Sequence, residues 1–260
     1  MIKIGKVKHF DLAKIAESGQ VFRWRDAKQS RWFIPADGKE TIAFQDEEGV
    51  SLICESQDLP FWRTYLAVDE DYDSIIAELT GQSEAQDKAL EFADGIRMMR
   101  APFFETAITT ICTQNNSIPN IIAGVERICG GWHEPFPTAE QVIERLSKES
   151  CHLGYREPYI IGFCEDYLDG RFADIEKLDA FHQGASRPSY DEVSRELCSV
   201  KGIGPKVAAC ICLFSLGYDE AVPRDVWIKR LEDRYDVKWH PELAGIQQQF
   251  LFHAIRMGAI

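Results

Sequence analysis

At 260 residues, with 45% apolar and 27% charged side chains, the chain has material for one large domain or two ordinary ones and the balance of a globular protein. Its longest apolar stretch, Val207 to Leu216, is too short to cross a bilayer, and its start, Met1-Ile2-Lys3-Ile4-Gly5-Lys6, lacks the apolar core and cleavage site of a secretory signal, so no membrane span is expected and a cytosolic location is. A formal charge of −13 argues against a partner held by a broad basic face; any nucleic acid would have to be bound through backbone amides and few cations, with a shallow salt dependence.

In chain order, short β-type runs come first: Val21-Phe22-Arg23-Trp24, Trp32-Phe33-Ile34, Thr41-Ile42-Ala43-Phe44 and Val50-Ser51-Leu52-Ile53-Cys54. Asp37-Gly38 and Glu48-Gly49 fall between successive runs and supply positive-φ positions for hairpins, which predicts an antiparallel meander. From about Pro60 apolar residues recur at helical spacing, as in Phe61 and Tyr65 or Ile75, Ile76 and Leu79. Gly130-Gly131, Glu134-Pro135-Phe136-Pro137 and Arg187-Pro188-Ser189 cut the remainder into helices of modest length. The expected class is α+β: an N-terminal antiparallel β domain over residues 1–80 and a helical domain over 81–260, with a ligand cleft between them. The eight cysteines show no Cys-x-x-Cys spacing and read as small core hydrophobes in a reduced compartment.

The segment from Ser189 to Tyr235 is the most informative. Ser189 and Glu192 form a capping-box pattern ahead of Val193, Leu197 and Val200, which share one helical face. Lys201-Gly202-Ile203-Gly204 ends that helix, and Pro205 opens a second that runs to about Leu216 before Gly217. Two helices joined by Gly-x-Gly leave unpaired amides at the second helix's N-terminus, a phosphate site that needs no net positive charge; a plain structural hairpin is the alternative. Lys206 lies on the first turn of that helix. The positive helix end and partial burial both favour its neutral amine, a nucleophile able to form a Schiff base. Asp225 precedes Val226, Ile228 and Leu231 as an N-cap should. A carboxylate held near a lysine suits cleavage of a base–sugar bond, because it stabilises oxocarbenium character while the amine attacks C1′.

With these residues in order, the chain resembles the helix-hairpin-helix glycosylases. Val200-Lys201-Gly202-Ile203-Gly204-Pro205-Lys206-Val207-Ala208-Ala209-Cys210-Ile211-Cys212 and Val222-Pro223-Arg224-Asp225-Val226 are similar to the 8-oxoguanine DNA glycosylase family, in a bacterial-type branch. The resemblance places the hairpin at residues 190–216 and the aspartate loop at 217–226, with Lys206 and Asp225 as catalytic residues. It extends to Ser18-Gly19-Gln20-Val21-Phe22-Arg23-Trp24, where it implies that the Gly19 carbonyl accepts N7–H of the damaged base; undamaged guanine has a lone pair there and is repelled.

By the same resemblance Asn115, within Ile111-Cys112-Thr113-Gln114-Asn115-Asn116, touches the orphaned cytosine, Tyr155 wedges into the stack and Arg156 bonds the widowed base. Gly202 and Gly204 face DNA phosphate. Cys210 stacks on one face of the extruded base and Phe252 on the other, with Phe250 the competing choice, while Gln248 reads the Watson–Crick edge. Asn120 and Trp227 depart from the eukaryotic pattern of arginine and histidine. No catalytic metal or organic cofactor is implied; the carbonyls of Cys198, Val200 and Ile203 match positions that can hold a DNA-bridging monovalent or calcium ion. The resemblance thus implies a monomeric, cytoplasmic, nucleoid-associated glycosylase and AP lyase that excises 8-oxoguanine from double-stranded DNA. A glycosylase for other oxidised or alkylated bases, or a DNA-binding module without chemistry, remain as alternatives.

Overall fold

Turn chemistry sets the sheet. Asp37 and Gly38 have φ of 50° and 67°, the left-handed pair a two-residue hairpin requires, and they join β3 (Arg31–Ala36) to β4 (Lys39–Asp46). β4 then turns into β5 (Gly49–Ile53) with the Asp46 carboxylate accepting from the Glu48 amide. At Gly49, φ is 119° and a Cβ would stand 2.2 Å from the Gly5 carbonyl oxygen, so glycine is required where β1 (Ile2–Gly5) crosses. With β2 (Arg25–Asp26) the antiparallel order is β1-β5-β4-β3-β2. The structure is a computed structural model describing residues 1–178 and 187–260.

Two features of the sheet differ from the sequence expectation. Residues 2–5 add an edge strand, and Val21–Trp24 is not a strand. Phe22, Arg23 and Trp24 are all buried, against the alternation a strand would show, because this segment runs between two cores. Trp24 joins Ile34, Ala43, Leu52, Trp62 and Met99 beneath the sheet, whereas Phe22 joins the helical core. Arg23 between them donates to the Glu105 carboxylate at 3.2 Å and to the Glu134 carbonyl at 2.5 Å.

The helical elements are α1 (Leu12–Glu17), α2 (Leu59–Tyr65), α3 (Tyr72–Leu79), α4 (Glu84–Phe92), α5 (Phe103–Cys112), α6 (Ile118–Cys129) and α7 (Ala139–Lys148), followed by α8 (Glu157–Leu168), α9 (Ala173–Glu176), α10 (Tyr190–Cys198), α11 (Pro205–Phe214), α12 (Val226–Arg234) and α13 (Ala244–Arg256). The architecture is α+β. Ser189 and Glu192 cap α10 reciprocally, as their spacing requires. The body is built around α11: Val207 through Phe214 are buried, leaving only Pro205 and Lys206 toward the surface. α11 ends at Phe214, two residues short of the expected Leu216. Six of the eight cysteines are buried and all are free, which is how small core hydrophobes behave. No helix among the described residues is long and apolar enough to cross a membrane.

α13 packs on α4, and His253 stacks on Phe92 with ring centroids 5.7 Å apart. Burial, aided by Arg256 and Lys14, pushes the His253 imidazole down to about 4, and its Nδ1 has no hydrogen-bond partner among the described residues. A folded-state value below the ordinary 6.5 means that the unfolded chain takes up the proton first, so this contribution is complete above pH 6.5 and is lost as pH falls toward 4. Replacing His253 with Phe should therefore narrow the gap between melting temperatures measured at pH 7.5 and pH 5; an unchanged gap would show that His253 does not set it.

Candidate active site

The first turn of α11 carries Lys206, with Gly204, an extended residue, capping the helix and Pro205 supplying a fixed φ at its first position. Lys206 Nζ lies 2.9 Å from Thr113 Oγ1 at the end of α5. The Thr113 hydroxyl donates its own proton to the Thr110 carbonyl at 2.7 Å, so its lone pairs face the lysine and orient the amine without adding charge. Cys210, one turn further along α11, is the amine's second neighbour; burial raises its thiol, which keeps the sulfur uncharged.

Asp225 caps α12, its Oδ1 accepting from the Trp227 and Ile228 amides at 2.9 and 3.0 Å. These two bonds fix the carboxylate in place. Asp225 and Lys206 line one hollow of about 600 Å³, together with Thr113, Asn115, Gly204, Arg224 and Lys229. Lys206, Arg224 and Lys229 outnumber its single carboxylate, so basic side chains gather at this mouth although the chain is strongly acidic. Arg224 is partly offset by Glu232 at 3.0 Å. The acidic runs Asp46-Glu47-Glu48, Asp69-Glu70-Asp71 and Glu165-Asp166 lie outside this lining, and part of their charge is internally matched: Arg63 pairs with Asp69 and Arg100 with Glu70.

The 113–116 loop is tied to the hairpin. Gln114 Nε2 donates to the Gly202 carbonyl at 2.9 Å, and Asn115 holds a positive φ of 44°. Tyr155 is exposed on a short 3-10 turn, Gly154–Arg156, within 3.4 Å of the Asn115 amide. Arg156 is not exposed beside it. Its guanidinium is buried under the loop, donating to the carbonyls of Gln114, Asn115 and Leu153. The sequence alone suggests an arginine projecting toward a base; here the 3-10 turn directs it inward, where the carbonyls of Gln114, Asn115 and Leu153 take up its donors. Asn120 is exposed on the first turn of α6.

The two hairpin glycines have different neighbours. Gly202 has φ of 94°, and a Cβ there would meet the Tyr159 ring at 2.3 Å; Gly204 would meet nothing within 4 Å. The close approach at Gly202 is that of an α8 side chain, whereas the space beside Gly204 is open.

A second group of residues gathers where the 17–20 loop meets α13. Gly19 has φ of 85°, and a Cβ on it would lie 3.5 Å from Phe252 Cε1 and 3.6 Å from Arg256 Nη1. Phe250 is fully buried in the helical core, so Phe252 is the aromatic at this loop. Gln248, one turn before Phe252, is buried with its Oε1 unpartnered among the described residues. Sequence reasoning missed Thr113 and Arg256. Gln248, Phe252 and Arg256 fall at i, i+4 and i+8 on one helical face, which was the available signal for the arginine; Thr113 offered none.

Residues 2–107 match the family model described as the N-terminal domain of 8-oxoguanine DNA glycosylase. The N-glycosylase/DNA lyase of Saccharomyces cerevisiae is 28% identical, over 86% of this chain and 67% of its own length. A probable N-glycosylase/DNA lyase of Methanothermobacter thermautotrophicus is 26% identical over 98% of this chain and 96% of its own. The 8-oxoguanine glycosylase/lyase of Clostridium acetobutylicum, solved with double-stranded DNA containing cytosine opposite 8-oxoG, superposes with a TM-score of 0.84 at 26% identity, covering 100% of this chain and 99% of that one. Residues 2–107 thus carry the N-terminal domain of the 8-oxoguanine DNA glycosylases, and the chain is similar to these enzymes along its whole length. Within the hairpin, Gly202 is the glycine packed against Tyr159. Gly202→Ala should cost about 1–3 kcal/mol from strain alone, whereas Gly204→Ala should leave the melting temperature in place; equal effects in thermal melts would contradict this division.

Proposed function

We propose that the chain is a bifunctional DNA glycosylase and AP lyase that flips 8-oxoguanine from duplex DNA, excises it and cleaves the strand. One observation carries the reading: the amine of Lys206 and the carboxylate of Asp225 open into the same hollow, at the mouth of a hairpin whose free amides suit a phosphate. A module that had lost chemistry would have no need of this pair.

The geometry supports a sequence of steps. The extruded nucleotide enters with its sugar between Lys206 and Asp225. As the C1′–N9 bond breaks, its electron pair leaves with the base, and the fixed Asp225 charge stabilises the cationic sugar. Lys206 Nζ, aimed by Thr113, attacks as the neutral amine and forms the new bond at C1′; one of its protons passes to solvent and the other to O4′ as the C1′–O4′ bond breaks and the ring opens to a Schiff base. Loss of a 2′ proton then expels the 3′ phosphate by β-elimination.

Gly19, Cys210, Gln248 and Phe252 form the base site in this reading, and Asn115 with Tyr155 fills the gap left in the duplex. Arg156 supports these two through the loop carbonyls it holds. Phosphate contact falls to Gly204 and the first-turn amides of α11, with Gly202 shaping the turn. The carbonyls of Cys198, Val200 and Ile203 are suited by their oxygen donors to a monovalent or calcium ion bridging to phosphate; the Val200 carbonyl already accepts from the Ile203 amide at 3.0 Å, which leaves it one lone pair and favours weak binding. The cytoplasm, at the nucleoid, is the corresponding site of action.

Sodium borohydride added to the protein and an 8-oxoguanine duplex should trap a covalent adduct, and Lys206→Gln should abolish it; undiminished trapping in that variant would remove the lysine from the mechanism. Thr113→Val, which deletes one hydroxyl of similar shape, should slow single-turnover excision by about tenfold, the worth of one hydrogen bond of roughly 1.4 kcal/mol. It should do so with duplex affinity unchanged, and a loss confined to affinity would show that Thr113 contacts DNA instead.

A further inference from the structure

We propose that Arg256 is a specificity-determining residue that donates a hydrogen bond to O8 of the lesion and stabilises the departing base; this rests on the reading of the chain as an 8-oxoguanine glycosylase. Arg256 ends α13. Its Nη2 donates to the carbonyl of Glu17, its guanidinium carbon lies 5.3 Å from the centre of the Phe252 ring, and it lines a hollow of about 400 Å³ with Gly19, Val21, Ile118 and Met257. Its Nη1 is buried with no hydrogen-bond partner among the described residues. A buried cationic donor left unmatched is costly, and a ligand that supplies the acceptor removes the cost.

The neighbouring backbone shows which acceptor fits. α13 clamps the 17–20 loop through two carbonyls, Arg256 taking that of Glu17 and Gln249 Nε2 taking that of Ser18 at 2.7 Å. Gln20 is held in turn, accepting from the Met99 amide at 2.9 Å and donating to the Arg97 carbonyl at 3.0 Å. The Gly19 carbonyl lies between these anchors and accepts no hydrogen bond from the described residues. Beside the hollow there are therefore an unengaged acceptor, the Gly19 carbonyl, and an unengaged cationic donor, Arg256 Nη1, which lies just beneath the surface 3.6 Å from where a Gly19 Cβ would stand. The edge of 8-oxoguanine that matches is N7–H beside C8=O8, donor next to acceptor; guanine presents a lone pair and a C–H at the same two places.

The contact also acts on rate. When the C1′–N9 bond breaks, the electron pair left on N9 is conjugated with C8=O8, so negative charge grows on O8 as the base departs and is discharged when the base takes a proton from water. A guanidinium N–H at O8 then strengthens between ground state and transition state, the condition under which binding accelerates chemistry. Asp225 lies within electrostatic range of Arg256, so the two opposite charges flank the bond that breaks, one toward the sugar and one toward the base.

The test is a double-mutant cycle between protein and lesion. Single-turnover base release is measured from duplexes carrying 8-oxoguanine or 8-thioguanine, whose sulfur is a poorer acceptor at the same position, for the wild type, Arg256→Met and Arg256→Lys. Cleavage of a preformed abasic site by each protein is the reference for folding and for the sugar chemistry. Relative to that reference, Arg256→Met should slow 8-oxoguanine release about 10- to 100-fold, as expected for a charged hydrogen bond, and should shrink the oxygen-over-sulfur preference of the wild type. Arg256→Lys, which keeps one charged donor, should fall between the two. If the methionine variant slows both lesions by the same factor, or slows abasic-site cleavage equally, Arg256 only anchors the Glu17 carbonyl and the proposal is overturned. A wild type that leaves 8-oxoguanine untouched while cleaving abasic sites would instead overturn the assigned substrate.

Discussion

The hydrogen bond from Lys206 to Thr113 joins the two elements on which the site depends. It spans 93 residues of sequence, connecting the hairpin to the end of α5. Around it the same loop is fastened by Gln114 to the Gly202 carbonyl and by Arg156 from beneath. The amine thus sits at the junction of three segments, each held by polar contacts to backbone, and its direction is set before any substrate arrives. Such preorganisation is what an attack at a single carbon requires.

Much of the site could be read in the sequence because its key residues are fixed by local rules. The capping box at Ser189, the proline that opens α11 and the cap at Asp225 are short-range patterns, and each places a functional group without reference to the rest of the chain. The hairpins were legible for the same reason, since Asp37 and Gly38 need positive φ whatever surrounds them. Long-range packing was not legible. Val21–Trp24 has the composition of a strand, but its side chains serve two cores and a buried ion pair. Arg156 looks like an exposed arginine until the carbonyls above it are known. Thr113 is an ordinary helix-end threonine, and only the tertiary fold brings it to the lysine.

Charge illustrates the same distinction. A formal −13 describes the chain as a whole, whereas the field a ligand meets is set by the few groups around the hollow. There the cations prevail, and the acidic runs are partly absorbed by arginines in and beneath the surface. A repair enzyme can be acidic overall and still offer an anion a locally favourable entrance.

The clamp between α13 and the 17–20 loop closes over 231 and 239 residues of sequence. While the polypeptide is still emerging from the ribosome, Gln20 can already reach residues 97 and 99, but the Glu17 and Ser18 carbonyls stay unanswered until α13 follows, so this corner of the molecule is completed only when the two distant segments meet.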